Sequence, residues 1–271
     1  MNNTPRDYSF ISREFPDRRN ISVYYISDLH TGAKNCYQEQ FEKFIDWIAK
    51  QENAYLVLGG DLMNNATRSS VSNIFGDTMR PCEQKRWIAN KLTPVRDKIL
   101  CGVAGNHEMR SGKDADDDPM YDIFSKLDLE DIYRPYMAIL RLRFGDKNAD
   151  GRANPTYIFA VHHGNGGGKK TGSAVNNAED FAGTFDGIDG LFVGHTHKAF
   201  NTFPQKLCVD SRNNKITLKP FFVYSASSWL QYSDYAIRTQ LKPASTANEI
   251  TQRLDICGNK KQVELRNFIK Y

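Results

Sequence analysis

Leu100-Cys101-Gly102-Val103-Ala104-Gly105-Asn106-His107-Glu108 is the stretch on which the fold turns. An apolar run with a β-branched valine reads as a short buried strand. It breaks at Gly105 and then presents a carboxamide and an imidazole side by side. Strand ends that suddenly carry polar side chains are where open α/β proteins place their chemistry.

Working outward, four other apolar runs end the same way. Ile21–Ile26 leads into Ser27-Asp28-Leu29-His30, and Ala54–Leu58 into Gly59-Gly60-Asp61. Tyr157–Val161 leads into His162-His163-Gly164, and Gly190–Val193 into Gly194-His195-Thr196-His197. The five strand ends hold all six histidines of the chain.

Between them, Phe41, Phe44, Ile45 and Ile48 fall at helical spacing over Gln38–Gln51. Further helices are expected over Cys82–Leu92, extended to Lys98, from Asp118-Pro119 to Leu127, and over Ala178–Phe185. A strand is expected at Met137–Arg143, and later ones at Lys206–Val209, Lys215–Leu218 and Phe221–Ser225. Early β–α alternation predicts parallel pairing with helices on the sheet faces, and the late strands predict antiparallel additions. The expected fold is α/β, with mixed sheets packed as a sandwich flanked by helices. Residues 1–20 read as a polar lead-in and 21–271 as one domain, β-rich from about residue 198.

The 271 residues, 40% hydrophobic and 25% charged, suit an ordinary globular chain with a substantial core. A net charge of +4 admits anionic substrates but lacks the basic block of a dedicated DNA-binding arm. The five cysteines are scattered, without a Cys-x-x-Cys pair, which points to reduced thiols in the cytoplasm. The polar N-terminus lacks a signal-like apolar core, and no run approaches the roughly 18–20 residues of a membrane span.

Taken in order, Asp28-x-His30, Gly59-Gly60-Asp61, Gly105-Asn106-His107-Glu108, His163-Gly164 and Gly194-His195-x-His197 resemble the calcineurin-like metallophosphoesterase superfamily across residues 21–197. The resemblance implies a four-layer αββα sandwich and two divalent metal ions. It assigns Asp28, His30, Asp61 and His197 to one ion. Asp61 would bridge to a second, held also by Asn106, His163 and His195. His107 would be a catalytic histidine beside the substrate.

These residue types fit that chemistry. Imidazole and carboxylate suit Mn, Fe, Zn or Ni, with Mn the first choice, and the absence of thiolates argues against a closed structural zinc site. Two divalent ions bring four positive charges and the two aspartates return two, so the site stays electropositive. Of the tandem histidines, strand alternation points only one toward the metals. Here His163, the residue before glycine, matches the superfamily, and His162 is the alternative.

Glu108 reads as a backbone-orienting or capping carboxylate. Gly164–Thr171 lacks Walker spacing and reads as a rim loop, from which Lys169 or Lys170 could touch substrate; Arg110 could contact phosphate. Asp114–Asp118 lacks the ligand spacing of a calcium loop.

Protein phosphatases of the superfamily carry an aspartate three residues past the second block, followed by Arg-Gly. Here Asn64-Asn65-Ala66 stands in that place, without the carboxylate that would orient His107 or the arginine that would grip a phosphoserine. The expected activity is therefore phosphodiester hydrolysis on a nucleotide or nucleic acid. A phosphomonoesterase and a non-catalytic scaffold are the alternatives. The sequence carries no signal for an oligomeric state.

Overall fold

The computed structural model describes residues 9–68, 70, 74–145 and 155–269. Two six-stranded mixed sheets form its centre. In the first, β2 (Asn20–Ile26), β3 (Ala54–Leu58), β4 (Ile99–Val103) and β5 (Tyr133–Arg134) run parallel as neighbours. On the other side of β2, antiparallel β13 (Ile250–Cys257) and β14 (Gln262–Ile269) extend the sheet.

The second sheet contains β1 (Phe10–Phe15), β6 (Met137–Phe144), β7 (Thr156–His162), β8 (Gly190–Val193), β12 (Phe222–Ser225) and β9 (Phe200–Thr202), in that spatial order. An isolated ribbon of β10 (Gln205–Asp210) and β11 (Lys215–Pro220) exposes Leu207, Val209, Ile216 and Leu218.

Side-chain alternation explains the layering. In the second sheet Phe159, Phe192, Phe222 and Tyr224 belong to the central core, while Ala160, Leu191, Val193 and Val223 face the other way. Tyr25 of β2 meets Phe192 at 5.4 Å and Tyr224 at 6.0 Å, joining the two sheets. Burying such rings contributes roughly 1.5–3 kcal/mol each.

Helices α1 (Gln38–Lys50), α2 (Pro81–Leu92) and α4 (Pro119–Lys126) pack their apolar stripes onto this core. Asp118 caps α4, its Oδ1 accepting the Tyr121 N–H at 3.0 Å, as the Asp-Pro signal predicts. Helix α5 (Thr171–Gly183) lays Ala174, Ala178 and Ala182 on the outer face of the second sheet. The four-layer sandwich is the expected one.

Four details differ from the sequence reading. Phe10–Phe15, expected within the polar lead-in, forms β1, parallel to β6 at a sheet edge where only Ile11 and Phe15 are buried. Helix α5 begins at Thr171 instead of Ala178, because burial of Ala174 outweighs the weak propensities of Gly172, Ser173, Asn176 and Asn177. An unexpected helix, α3 (Glu108–Ala115), follows directly on the third polar strand end. Strand β12, from the segment expected to add antiparallel, pairs parallel with β8, and its antiparallel partner is β9.

Candidate metal centre

The polar strand ends meet at one edge of the sandwich. Gly60, at φ +85°, and Gly105 allow the second and third to touch. A Cβ on Gly60 would lie 2.3 Å from the Gly105 nitrogen, and one on Gly105 would lie 2.1 Å from Asp61 Oδ1. Asp28, His30, Asp61, His195 and His197 all hold left-handed φ values between 50° and 69°. Such a conformation costs a non-glycine residue of order 1–3 kcal/mol and persists only where the surroundings over-determine it.

Glu108 provides much of that constraint. Its buried carboxylate accepts the N–H groups of Asp61 and Gly105 at 2.8 Å each and of Met63 at 3.0 Å. It orients backbone, as expected. Burial and the nearby Asp61 charge push its pKa up to about 7. Contacts between the sheets complete the frame: His163 Nδ1 donates to Gly59 O at 2.8 Å, and the His195 N–H reaches both oxygens of Asp28 at 3.0–3.1 Å.

Two groups of donor atoms result. In one, His197 Nε2 lies 3.3 Å from Asp28 Oδ1 and 3.1 Å from His30 Nε2, which is 3.9 Å from both Asp28 Oδ1 and Asp61 Oδ2. In the other, His163 Nε2 lies 3.2 Å from Asp61 Oδ2 and 3.1 Å from Asn106 Oδ1, which is 2.7 Å from His195 Nδ1.

Asp61 Oδ2 is common to both groups. Asp28, His30 and His197 offer ligand atoms that all lie within 4.8 Å of one another, as do Asp61, His163 and His195, and each trio could hold a metal ion; Asp61 forms a third such trio with His30 and His107. Desolvation opposes ionisation of Asp28, but His197 and His163 beside it hold its carboxyl well below the usual range. Asp61 is likewise depressed, against its burial, by His163 and His107. Both aspartates therefore stand ready as anionic donors.

His107 adjoins the shared atom, its Nε2 3.8 Å from Asp61 Oδ2. This places it among the atoms that could ligate as well as beside them. Its Nδ1 donates to the backbone carbonyl of Asn64 at 2.7 Å. The orienting carboxylate that position 64 lacks is thus replaced by the main-chain carbonyl of Asn64, which residue type could not reveal. Arg110 Nη1 donates to the same carbonyl at 3.1 Å, beside His107. Burial lowers the His107 pKa to about 4.

Sequence reasoning also missed Asn65 and Gln84. Asn65 Nδ2 donates to His107 O at 2.7 Å, and Gln84 Oε1 accepts the Asn65 N–H at 2.9 Å, so both buried residues brace the histidine from behind. Nothing in their spacing marks them. Of the tandem pair, His163 joins the cluster, whereas His162 turns away onto Phe181 of α5, ring centroids 4.8 Å apart. Lys169 lies exposed on the loop before α5.

The family model for calcineurin-like phosphoesterases matches residues 21–199. Among solved structures, the fold is similar to a NAD nucleotidase of Haemophilus influenzae, at 9% identity over 92% of this chain and 49% of that one, with a TM-score of 0.40. It is also similar to a protein serine/threonine phosphatase of Saccharomyces cerevisiae, at 12% identity over 97% and 84%, with a TM-score of 0.37. The chain thus spans about half the length of the nucleotidase. No curated protein matches the sequence. Among the described residues, no helix is long and apolar enough to cross a membrane.

Proposed function

Because the chain belongs to the calcineurin-like phosphoesterase family, we propose that it is a metal-dependent hydrolase acting on phosphodiesters of nucleotides or nucleic acid. The observation that carries this reading is Asp61 Oδ2, one oxygen shared by two converging donor sets. We assign Asp28, His30, His197 and Asp61 to one divalent transition-metal ion, and Asp61, Asn106, His163 and His195 to the other. Mn is the first choice, with Fe, Zn and Ni also compatible with these donors. When bound, such a pair supplies an activated water and Lewis-acid stabilisation of the phosphoryl oxygens.

The chain's own groups do the rest. With Nδ1–H held by the Asn64 carbonyl, His107 presents Nε2 to the substrate. Burial favours the neutral ring in the free protein, and an anionic phosphate brings the counter-charge that favours imidazolium. From that form Nε2 delivers its proton to the leaving oxygen, a role worth roughly 10²–10⁴ in rate. Arg110, held beside His107, offers its guanidinium to a phosphate oxygen. We leave Lys169 as a contact at the rim of the site.

The diester preference rests on Asn64-Asn65-Ala66, which lacks the carboxylate and arginine of the phosphoserine-gripping branch. A core that runs from Ile11 to Ile256 supports one catalytic domain, and because Ile11 and Phe15 belong to it, that domain takes in β1 as well as the residues from 21 onward. The unpaired cysteines fit a cytoplasmic setting.

The test is a hydrolysis panel on protein stripped by chelator and reloaded with Mn. It compares a bis-aryl phosphate, an aryl monophosphate, cyclic nucleotides, and single- and double-stranded DNA. Diesters are expected to turn over fastest, and only with metal. Preference for the monoester would overturn the diester assignment, and full activity in excess chelator would overturn the metal mechanism. A correctly loaded protein inert on every member would be a scaffold.

A further inference from the structure

His162 and His163 are neighbours that serve opposite sides of the second sheet. His163 bonds Gly59 of the first sheet, whereas His162 lies against Phe181 of α5. Beside His162 a cavity of about 410 Å³ opens between α5 and the ends of β7 and β8. Gly164, Gly194 and Thr196 line it, and these residues belong to the same short loops that carry His163, His195 and His197. The cavity therefore borders the loops that also carry the candidate ligands.

Its chemistry is that of a site for an uncharged ring. Among the described residues, no lysine or arginine lines it, so it is not built for the phosphate itself. Phe181 and the His162 ring, inclined at 52°, form an aromatic wall against which a planar group can pack. Gly164 N–H donates to His162 Nδ1 at 2.8 Å, which places the proton of the neutral ring on Nε2 and makes that atom a donor. Asn165 and Asn177 add carboxamides, which both donate and accept, and Asp180 adds a carboxylate that accepts N–H groups. Thr196 lines the same wall, and its buried hydroxyl has no hydrogen-bond partner among the described residues.

We propose that this cavity is the subsite for a nucleobase bearing an exocyclic amine, joined through its sugar to the phosphate held at the metal centre. The proposal rests on the phosphoesterase reading above and specifies the substrate class of that site. The base packs on Phe181 and His162, its amine donates to Asp180, and its ring nitrogens meet the carboxamides and His162 Nε2–H. The sugar leads from the cavity round the rim of the loops that carry His163 and His195.

Two diesters with the same leaving group isolate the base: the 4-nitrophenyl esters of adenosine 5′-phosphate and of methyl phosphate, given to the Mn-loaded protein. The adenosine ester should be favoured by about 10-fold or more in kcat/KM, carried by KM, the gain expected from one well-packed, hydrogen-bonded ring. Asn177→Trp, a bulky residue at an exposed position on α5, should bring the ratio of the two esters to near unity, and Asp180→Ala should lower it. Hydrolysis of both esters at equal efficiency would overturn the subsite while leaving the phosphoesterase standing. Failure of both would strike the phosphoesterase reading instead. Calorimetry with adenosine alone then decides the cavity: saturable binding lost in Asn177→Trp supports it, and no binding, or binding unchanged in the variant, overturns it.

Discussion

The two sheets contribute different chemistry to the same site. The first supplies both carboxylates, Asp28 and Asp61, together with His30, Asn106 and His107, from the ends of three parallel neighbours. The second supplies imidazoles alone, His163, His195 and His197, from the ends of β7 and β8. Glu108 ties the second and third strand ends of the first sheet into a unit through three backbone N–H groups. The second sheet is docked onto that unit through Gly59 O and the Asp28 carboxylate. Neither sheet alone carries either of the two donor sets we assign, so the paired site would form only when the sandwich has closed. The carboxylate charge of the cluster lies wholly on the better-braced side.

The sharpest way to break this comparison is Asp61→Asn. The substitution keeps the shape but removes the charge at the one atom both donor sets share. We expect both ions to be lost, with activity falling by on the order of 10³-fold or more, since Lewis-acid stabilisation is worth several kcal/mol and each 1.4 kcal/mol is tenfold. Metal analysis and turnover check it together. Retention of two ions at wild-type rates would remove Asp61 from the bridge.

His107→Ala tests whether that residue works on the substrate or on the metals. As a proton donor it should keep both ions. It should lose about 10-fold on aryl esters, whose leaving group needs little help, and on the order of 10²–10⁴-fold on alkyl diesters. Equal losses on both would indicate electrostatic stabilisation of the phosphoryl group instead. Loss of an ion would make His107 a ligand, as its distance to Asp61 Oδ2 allows.

Glu108→Gln probes the brace. It swaps one accepting oxygen for an NH₂ that must face a backbone N–H, so at least one buried donor loses its partner, at a cost of about 1–3 kcal/mol. Metal affinity should drop by roughly 10–100-fold, the usual effect of disturbing a group that orients ligands. Titration with Mn and a thermal melt measure the two effects. Unchanged affinity would show that the left-handed turns hold without the clamp. Lys169→Ala stands at the small end. Its exposed side chain predicts less than about a 3-fold change in kcat/KM on a phosphodiester, and a larger loss would draw the rim loop into the site.

Much of this arrangement was legible in the sequence because the strands that carry the site are apolar runs stopped by glycine and polar residues. β3 falls at Ala54–Leu58 and β8 at Gly190–Val193, as read. Other elements gave weaker local signals. β1 buries two of its six residues, so its alternation is diluted by Ser12, Arg13 and Glu14. Helix α5 opens with residues that disfavour helices and is held there by packing on the second sheet. In the site, side-chain donors could be anticipated from type and order, whereas the Asn64 carbonyl could not, because every residue carries one. The Asn65–Gln84 brace escaped for a related reason: its partners come together only through tertiary packing.

The central claim, that two incomplete donor sets share one aspartate oxygen to form a paired site, is tested most directly by counting and coupling the ions. Mn-loaded protein, freed of excess metal, would be measured by elemental analysis and electron paramagnetic resonance. The account predicts two ions per chain with the spectrum of an exchange-coupled pair. One ion per chain, or two with the spectrum of isolated ions, would contradict it.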